Sequence, residues 1–146
     1  MGSAILSGVS GADPGLYGTP GDVAAEVALV RTLFDAFARR DIDGMLQHVA
    51  DDCELEAPGT AERVGRREPY RGIDGLRQFF ADADRVWEEL TLFADDIRAA
   101  ADGVVVFGHV EARHAGEVLR RRAVWLWELH DGKAVRVRVN DLGELA

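Results

Sequence analysis

Five side chains in the last third of this sequence carry chemistry at regular spacing: His109 and Glu111, Arg120 and Arg122, and Asp141. A two-residue step puts side chains on the same face of a β-strand. A carboxylate can move a proton, and a histidine can relay one near neutral pH. A guanidinium can clamp a carboxylate or hold the negative charge that forms on an oxygen during reaction. In that arrangement Arg122 would orient substrate or stabilise developing charge, Asp141 would transfer the proton, and His109 or Glu111 would assist. Each residue also has a plain structural reading. Asp141 and Arg122 could satisfy only one another, His109 could be a core histidine, and Glu111 with Arg120 could be a solvated cross-strand pair.

Two hairpins must bring these residues together. "HAGE" at 114–117 and "HDGK" at 130–133 have the composition of tight turns, with Ala115-Gly116 and Asp131-Gly132 as two-residue loops. Such loops fix the register. The first places His109 opposite Arg122, Glu111 opposite Arg120 and Phe107 opposite Val124. The second places Arg122 opposite Asp141, Val124 opposite Val139 and Leu126 opposite Val137. "RRRAVWLWEL" (120–129) then divides. One face holds Arg120, Arg122, Val124, Leu126 and Glu128; the other holds Arg121, Ala123, Trp125, Trp127 and Leu129. On the first face Val105, Phe107, Val124, Leu126, Val135, Val137 and Val139 form an apolar floor with the His109–Arg122–Asp141 row at one end. Polar groups converging on an apolar surface suit a small apolar ligand. On the second face Arg136 and Arg138 would stack across the tryptophans as cation–π pairs. That face fits a homodimer interface through Trp125 and Trp127, or a half-exposed sheet face with snorkelling arginines.

Upstream, Val23, Val27, Val30, Phe34 and Phe37 recur at helical steps and predict a helix over 22–40. A short helix follows with Met45, Leu46 and Val49 inward. "CELEAPG" alternates as a strand with Cys53, Leu55 and Ala57 on one face, stopped at Pro58-Gly59. Residues 60–72 read as a polar connection with room for a returning strand. A third helix buries Ile73, Leu76, Phe79, Phe80, Ala83, Val86, Trp87 and Leu90. Strands are predicted at about 91–100, 103–113, 118–129 and 133–141. Helices first and strands afterwards predict an α+β domain over 22–146, with residues 1–21 a flexible tail that could pack through Leu16 and Tyr17. Tyr70 and Trp87 fit the pocket mouth or the core equally.

Composition narrows the function. A net charge of −9 argues against a nucleic-acid partner. No apolar run reaches membrane-spanning length, there is no secretory leader pattern, and Cys53 is the single cysteine, so a cytoplasmic protein is expected. On a strand His114 points away from His109 and Glu111, leaving at most two convergent ligands, so no metal is expected.

"LVRTLFDAFARRDIDGMLQHVADDCELEAPG", "YRGIDGLRQFF" and "VWLWELHDGKAVRVRVND" resemble the SnoaL-like branch of the NTF2-like superfamily, over roughly 22–142. That group includes polyketide cyclases, ketosteroid isomerases and limonene-type epoxide hydrolases. The resemblance implies a cone of curved antiparallel sheet wrapped around about three N-terminal helices, a deep apolar pocket, and a homodimer through the sheet. The ketosteroid-isomerase carboxylate falls on Ala57, its tyrosine near Leu33 and its protonated aspartate near Val124, so that route lacks its groups here. The epoxide hydrolases set an arginine between two aspartates. The row with Glu111 has similar ingredients, but the last-strand carboxylate falls nearer Val139 than Asp141. The implied function is cofactor-independent acid–base catalysis on an apolar carbonyl- or epoxide-containing substrate, by cyclisation, isomerisation or epoxide opening. The alternative is a non-catalytic binding or dimerisation module. Phe107, Val124, Leu126, Val137, Val139, Tyr70, Trp87 and Ala57 are the expected substrate contacts.

Overall fold

The computed structural model describes residues 20–145, and the expected tail contacts of Leu16 and Tyr17 lie outside them. Helix α1 (Pro20–Ala38) buries Val30, Leu33, Ala36 and Phe37, the face its apolar spacing predicts. It ends two residues early because Arg40 turns left-handed, at φ 56°. The Arg40 and Asp41 N–H groups then return to Phe37 O and Ala36 O, at 2.9 Å each, and satisfy the last carbonyls. Asp41 also caps helix α2 (Ile42–Leu46) by accepting from Gly44 N–H.

Strand β1 (Val49–Glu56) buries Cys53 and Leu55. The stretch read as a polar connection contains a further short helix, α3 (Pro58–Arg63), and a two-residue strand, β2 (Tyr70–Arg71), that returns antiparallel to β1. Pro58-Gly59 thus starts a helix as well as stopping a strand, since proline fits the first helical turn. Helix α4 (Gly72–Val86) buries Leu76, Phe80, Ala83 and Val86; it stops before Trp87, and Leu90 belongs to the next strand. Four long strands follow: β3 (Glu89–Ala100), β4 (Gly103–His114), β5 (Glu117–His130) and β6 (Lys133–Glu144). The sheet order is β2-β1-β6-β5-β4-β3. All pairs are antiparallel except β1 with β6, so this curved, unclosed sheet is mixed rather than wholly antiparallel. The helices gather on one side of it, as an α+β cone requires.

Both tight turns form where expected. Ala115-Gly116 and Asp131-Gly132 have positive φ at both positions, as the right-handed twist of a hairpin favours. The β4–β5 register matches expectation, with His109 opposite Arg122, Glu111 opposite Arg120 and Phe107 opposite Val124. The β5–β6 register does not. Leu129 pairs Ala134, but the next pair is Glu128 with Arg136, leaving Val135 as a one-residue bulge. Beyond it Trp127 faces Val137, Trp125 faces Val139 and Ala123 faces Asp141. One extra residue moves every later side chain to the opposite face. A second bulge at Leu142 sets Arg122 opposite Gly143.

The faces of β5 are also the reverse of those expected, because the large apolar tryptophans are the ones buried. Trp125 and Trp127, 3% and 8% exposed, form the inner wall with Val104, Val106, Ala123 and Val137. Phe34 of α1 packs edge-on against Trp125, with ring centroids 5.2 Å apart. This surface is covered by the chain's own helix, so it is unavailable to a second subunit. Arg136 and Arg138 do not stack on the tryptophans. They lie on the outer face, where Arg136 bridges Glu56 at 3.2 Å and Glu128 at 3.8 Å.

Candidate functional site

The inner face and the helices enclose a cavity in two parts. An inner chamber of about 90 Å³ is walled by Phe34, Leu33, Met45, Leu46, Leu76 and Phe80 from the helices, and by Cys53, Leu55, Trp127 and Val137 from the sheet. It meets a vestibule of about 490 Å³, and Phe37, Ala57, Phe79, Leu92, Trp125 and Val139 line both. The combined space suits a small organic ligand.

The chamber is apolar apart from the Cys53 thiol. Burial first, then the neighbouring Asp52 and Glu54 carboxylates, push that thiol up to about 11, so it stays neutral at ordinary pH. Polar chemistry begins in the vestibule. Asp141 projects there from β6, and Arg121 from β5 reaches it with Nε 2.8 Å from Oδ2. The other carboxylate oxygen accepts from Gly143 N–H at 2.7 Å. Partial burial pushes the Asp141 carboxyl up; the Arg121 hydrogen bond, the Gly143 N–H and the Arg121 charge outweigh it, so its pKa is lowered.

Helix α3 lines the same vestibule. Trp87 donates from Nε1 to Thr60 Oγ1 at 2.9 Å, and the Arg63 guanidinium lies 4.7 Å from the Trp87 ring centroid. Arg63 also donates to Gly59 O at 2.9 Å, which folds its side chain back over its own helix.

Of the residues picked from sequence, Asp141, Val137, Val139, Ala57 and Trp87 line this cavity, and Arg122 reaches its rim. The row of His109, Arg122 and Asp141 does not form, because the Val135 bulge turns Asp141 toward Arg121. His109 lies on the outer face, stacked on Phe93 at 4.3 Å with Nδ1 2.7 Å from Asp95 Oδ2. Glu111 pairs Arg120 there at 3.3 Å. Phe107, 43% exposed, also faces outward with Val124 and Leu126, so the expected apolar floor is split, with its β4 and β5 part on the outer surface and Val137 and Val139 in the cavity. Tyr70 is fully buried outside the cavity, donating to Asp82 Oδ2 at 2.8 Å; burial and that carboxylate push its phenol up to about 12.

Arg121, Arg63 and Thr60 were not singled out from sequence. Arg121 shares a face with the tryptophans in the alternation, and reading that face as inward would have found it. Arg63 and Thr60 sit on a helix too short for periodicity to reveal. Among the described residues no three His, Cys, Asp or Glu side chains gather as metal ligands would, and no helix is long and apolar enough to cross a membrane.

Comparison with known proteins places this geometry in context. The SnoaL-like domain family matches residues 30–137. The uncharacterized protein Rv0034 of Mycobacterium tuberculosis is 30% identical over 115 residues, which is 77% of this chain and 86% of that one. An NTF2-like protein of unknown function from Burkholderia pseudomallei superimposes with a TM-score of 0.73 at 24% identity, over 80% of this chain and 90% of that one. TerC, co-crystallized with polyporic acid, gives 0.72 at 26% identity, over 80% and 91%.

Proposed function

The chain belongs to the SnoaL-like family, and from that premise we propose that it is a cofactor-independent acid–base enzyme acting on an apolar carbonyl compound. The observation that carries this reading is the Arg121–Asp141 pair, hydrogen-bonded at 2.8 Å, at the opening of an otherwise apolar cavity. TerC, co-crystallized with polyporic acid, supports a small organic ligand for this wall of Phe and Trp side chains. Asp141 is the base and Arg121, oriented by it, receives the negative charge that moves to the carbonyl oxygen.

The electrostatics select among reactions. A carboxylate held below its usual range is ionised at neutral pH and is a weak base. It can deprotonate a carbon only where that carbon is already acidic, such as one between two carbonyls. Cyclisation or isomerisation of a β-dicarbonyl compound meets this condition. Epoxide opening needs a proton donor beside the epoxide oxygen, and His109 and Glu111, offered for that part, lie on the outer face.

The test is hydrogen–deuterium exchange at the α-carbon of an aryl β-keto ester, followed by NMR. Wild type is expected to accelerate exchange. Asp141→Asn is expected to lose ~10²–10⁴-fold of that acceleration. Ala57→Leu, at the join of chamber and vestibule, is expected to lose it by excluding the ligand. Equal rates in wild type and Asp141→Asn would overturn the reading.

A second reading, a passive small-molecule carrier, is favoured by one observation: Cys53 is the only titratable side chain lining the chamber among the described residues. It expects ligand binding without accelerated exchange.

A further inference from the structure

The cavity opening has an electrostatic sign opposite to that of the whole chain. The protein carries 26 acidic residues against 17 Lys and Arg. Yet the vestibule is lined by Arg63, Arg121 and Arg122 and by the carboxylates of Glu62 and Asp141 alone. Arg121 is taken by Asp141, at 2.8 Å. Neither Arg63 nor Arg122 has an ion-pair partner among the described residues. Glu62, adjacent to Arg63 on α3, forms no ion pair with it. The vestibule lining thus carries one net positive charge, and two guanidinium groups outside any ion pair, Arg63 from the helix side and Arg122 at the rim of the sheet, stand at the entrance to an apolar space.

Arg63 is also held in place. It stacks on Trp87, which is pinned by its hydrogen bond to Thr60, itself 4% exposed. A stacked, planar guanidinium loses little freedom when it takes an oxyanion, and its fork matches a carboxylate or enolate edge. A cleft of net positive charge with low-dielectric walls also favours ligands of the opposite sign.

We propose that the ligand is an amphipathic organic oxyanion: an apolar body seated against Trp125, Phe37 and Phe79, with a carboxylate or ionised enol held by Arg63 and Arg122. This rests on reading the cavity as a ligand site, as above, and adds the ligand's charge. Arg63 and Arg122 then determine specificity, while Arg121 and Asp141 serve the reaction.

The test compares biphenyl-4-carboxylate with its neutral analogue biphenyl-4-carboxamide by calorimetric titration. Wild type is expected to bind the acid at least about tenfold more tightly, the scale of one charge-assisted contact. Arg63→Gln with Arg122→Gln is expected to bring the acid down to the amide and leave the amide unchanged, with the unliganded melting temperature confirming the fold. Arg63→Lys with Arg122→Lys is expected to retain part of the preference. The preference should shrink between about 0.05 and 0.5 M salt, as screening of a half-exposed site demands. Ala57→Leu is expected to lose both ligands.

Equal binding of acid and amide by wild type, with both lost in Ala57→Leu, would overturn the inference and leave the cavity reading standing. So would an acid preference unmoved by the double Gln variant. An acid preference that survives Ala57→Leu would place the anion outside the cavity and overturn the inference too. Failure of both compounds to bind at millimolar concentration would overturn the inference together with the reading beneath it.

Discussion

At Asp141 a carboxylate half open to water keeps a lowered pKa because Arg121 and the Gly143 N–H both favour its ionised form. The group therefore stabilises the fold fully above its unfolded pKa, and that contribution disappears as pH falls through the lower, folded value. The melting-temperature gap between wild type and Asp141→Asn is expected to be open at pH 7, to narrow below about pH 4, and to close in stronger acid. Because the side chain is 51% exposed, solvent screening keeps the gap under ~1 kcal/mol. A pH scan of both proteins by calorimetry checks it; a gap that widens toward acid would mean Arg121 does not favour the carboxylate. Asp141 was legible in the sequence as a chemical group but its partner was not. Arg121 and Arg122 are adjacent and identical in type, so only the parity of the strand separates them. Residue type carries no information about parity.

Which of the two meets Asp141 is decided one level up, by a bulge. The two turns could be read because positive φ demands particular residues, and Gly116 and Gly132 supply them. The bulge could not, since Val135 is an ordinary strand residue and "VRVRV" alternates equally well in either register. The better signal was the tryptophan pair, whose large apolar area belongs inside. Deleting Val135 should remove the bulge and turn Val137 and Val139 outward. Val137 is buried and Val139 partly so. Expelling a fully buried valine costs ~1.5–3 kcal/mol, a large part of the ~5–15 kcal/mol that holds a domain together. The deletion is therefore expected to unfold the protein or leave it barely folded. Val135→Ala keeps the register and is expected to cost only ~1 kcal/mol. Denaturant titration distinguishes them, and a deletion tolerated as well as the substitution would show that the bulge does not set the faces.

Over the whole molecule, the architecture was open to reading because the helical period of α1 and α4 and the sustained alternation after Leu90 are both strong. The short pieces, α3 and β2, escaped because six and two residues complete too little of any period. They matter out of proportion to their length, since α3 forms one side of the vestibule. The far side of the sheet poses a separate problem, because β3 is a twelve-residue strand with no neighbour beyond it among the described residues. An open strand edge of that length is a template on which other chains can add, the first step toward aggregation. Asp95, the extra residue between Ala94 and Asp96, interrupts its ladder, and the Asp96 and Arg98 charges follow directly. His109, once released from any part in catalysis, acquires a use here: its 2.7 Å contact fastens the bulge. Replacing Asp95 and Asp96 by Val should leave a smooth, sticky margin, and light scattering on warming would detect faster self-association than in wild type. If the two proteins clump at the same rate, this margin is guarded by something else.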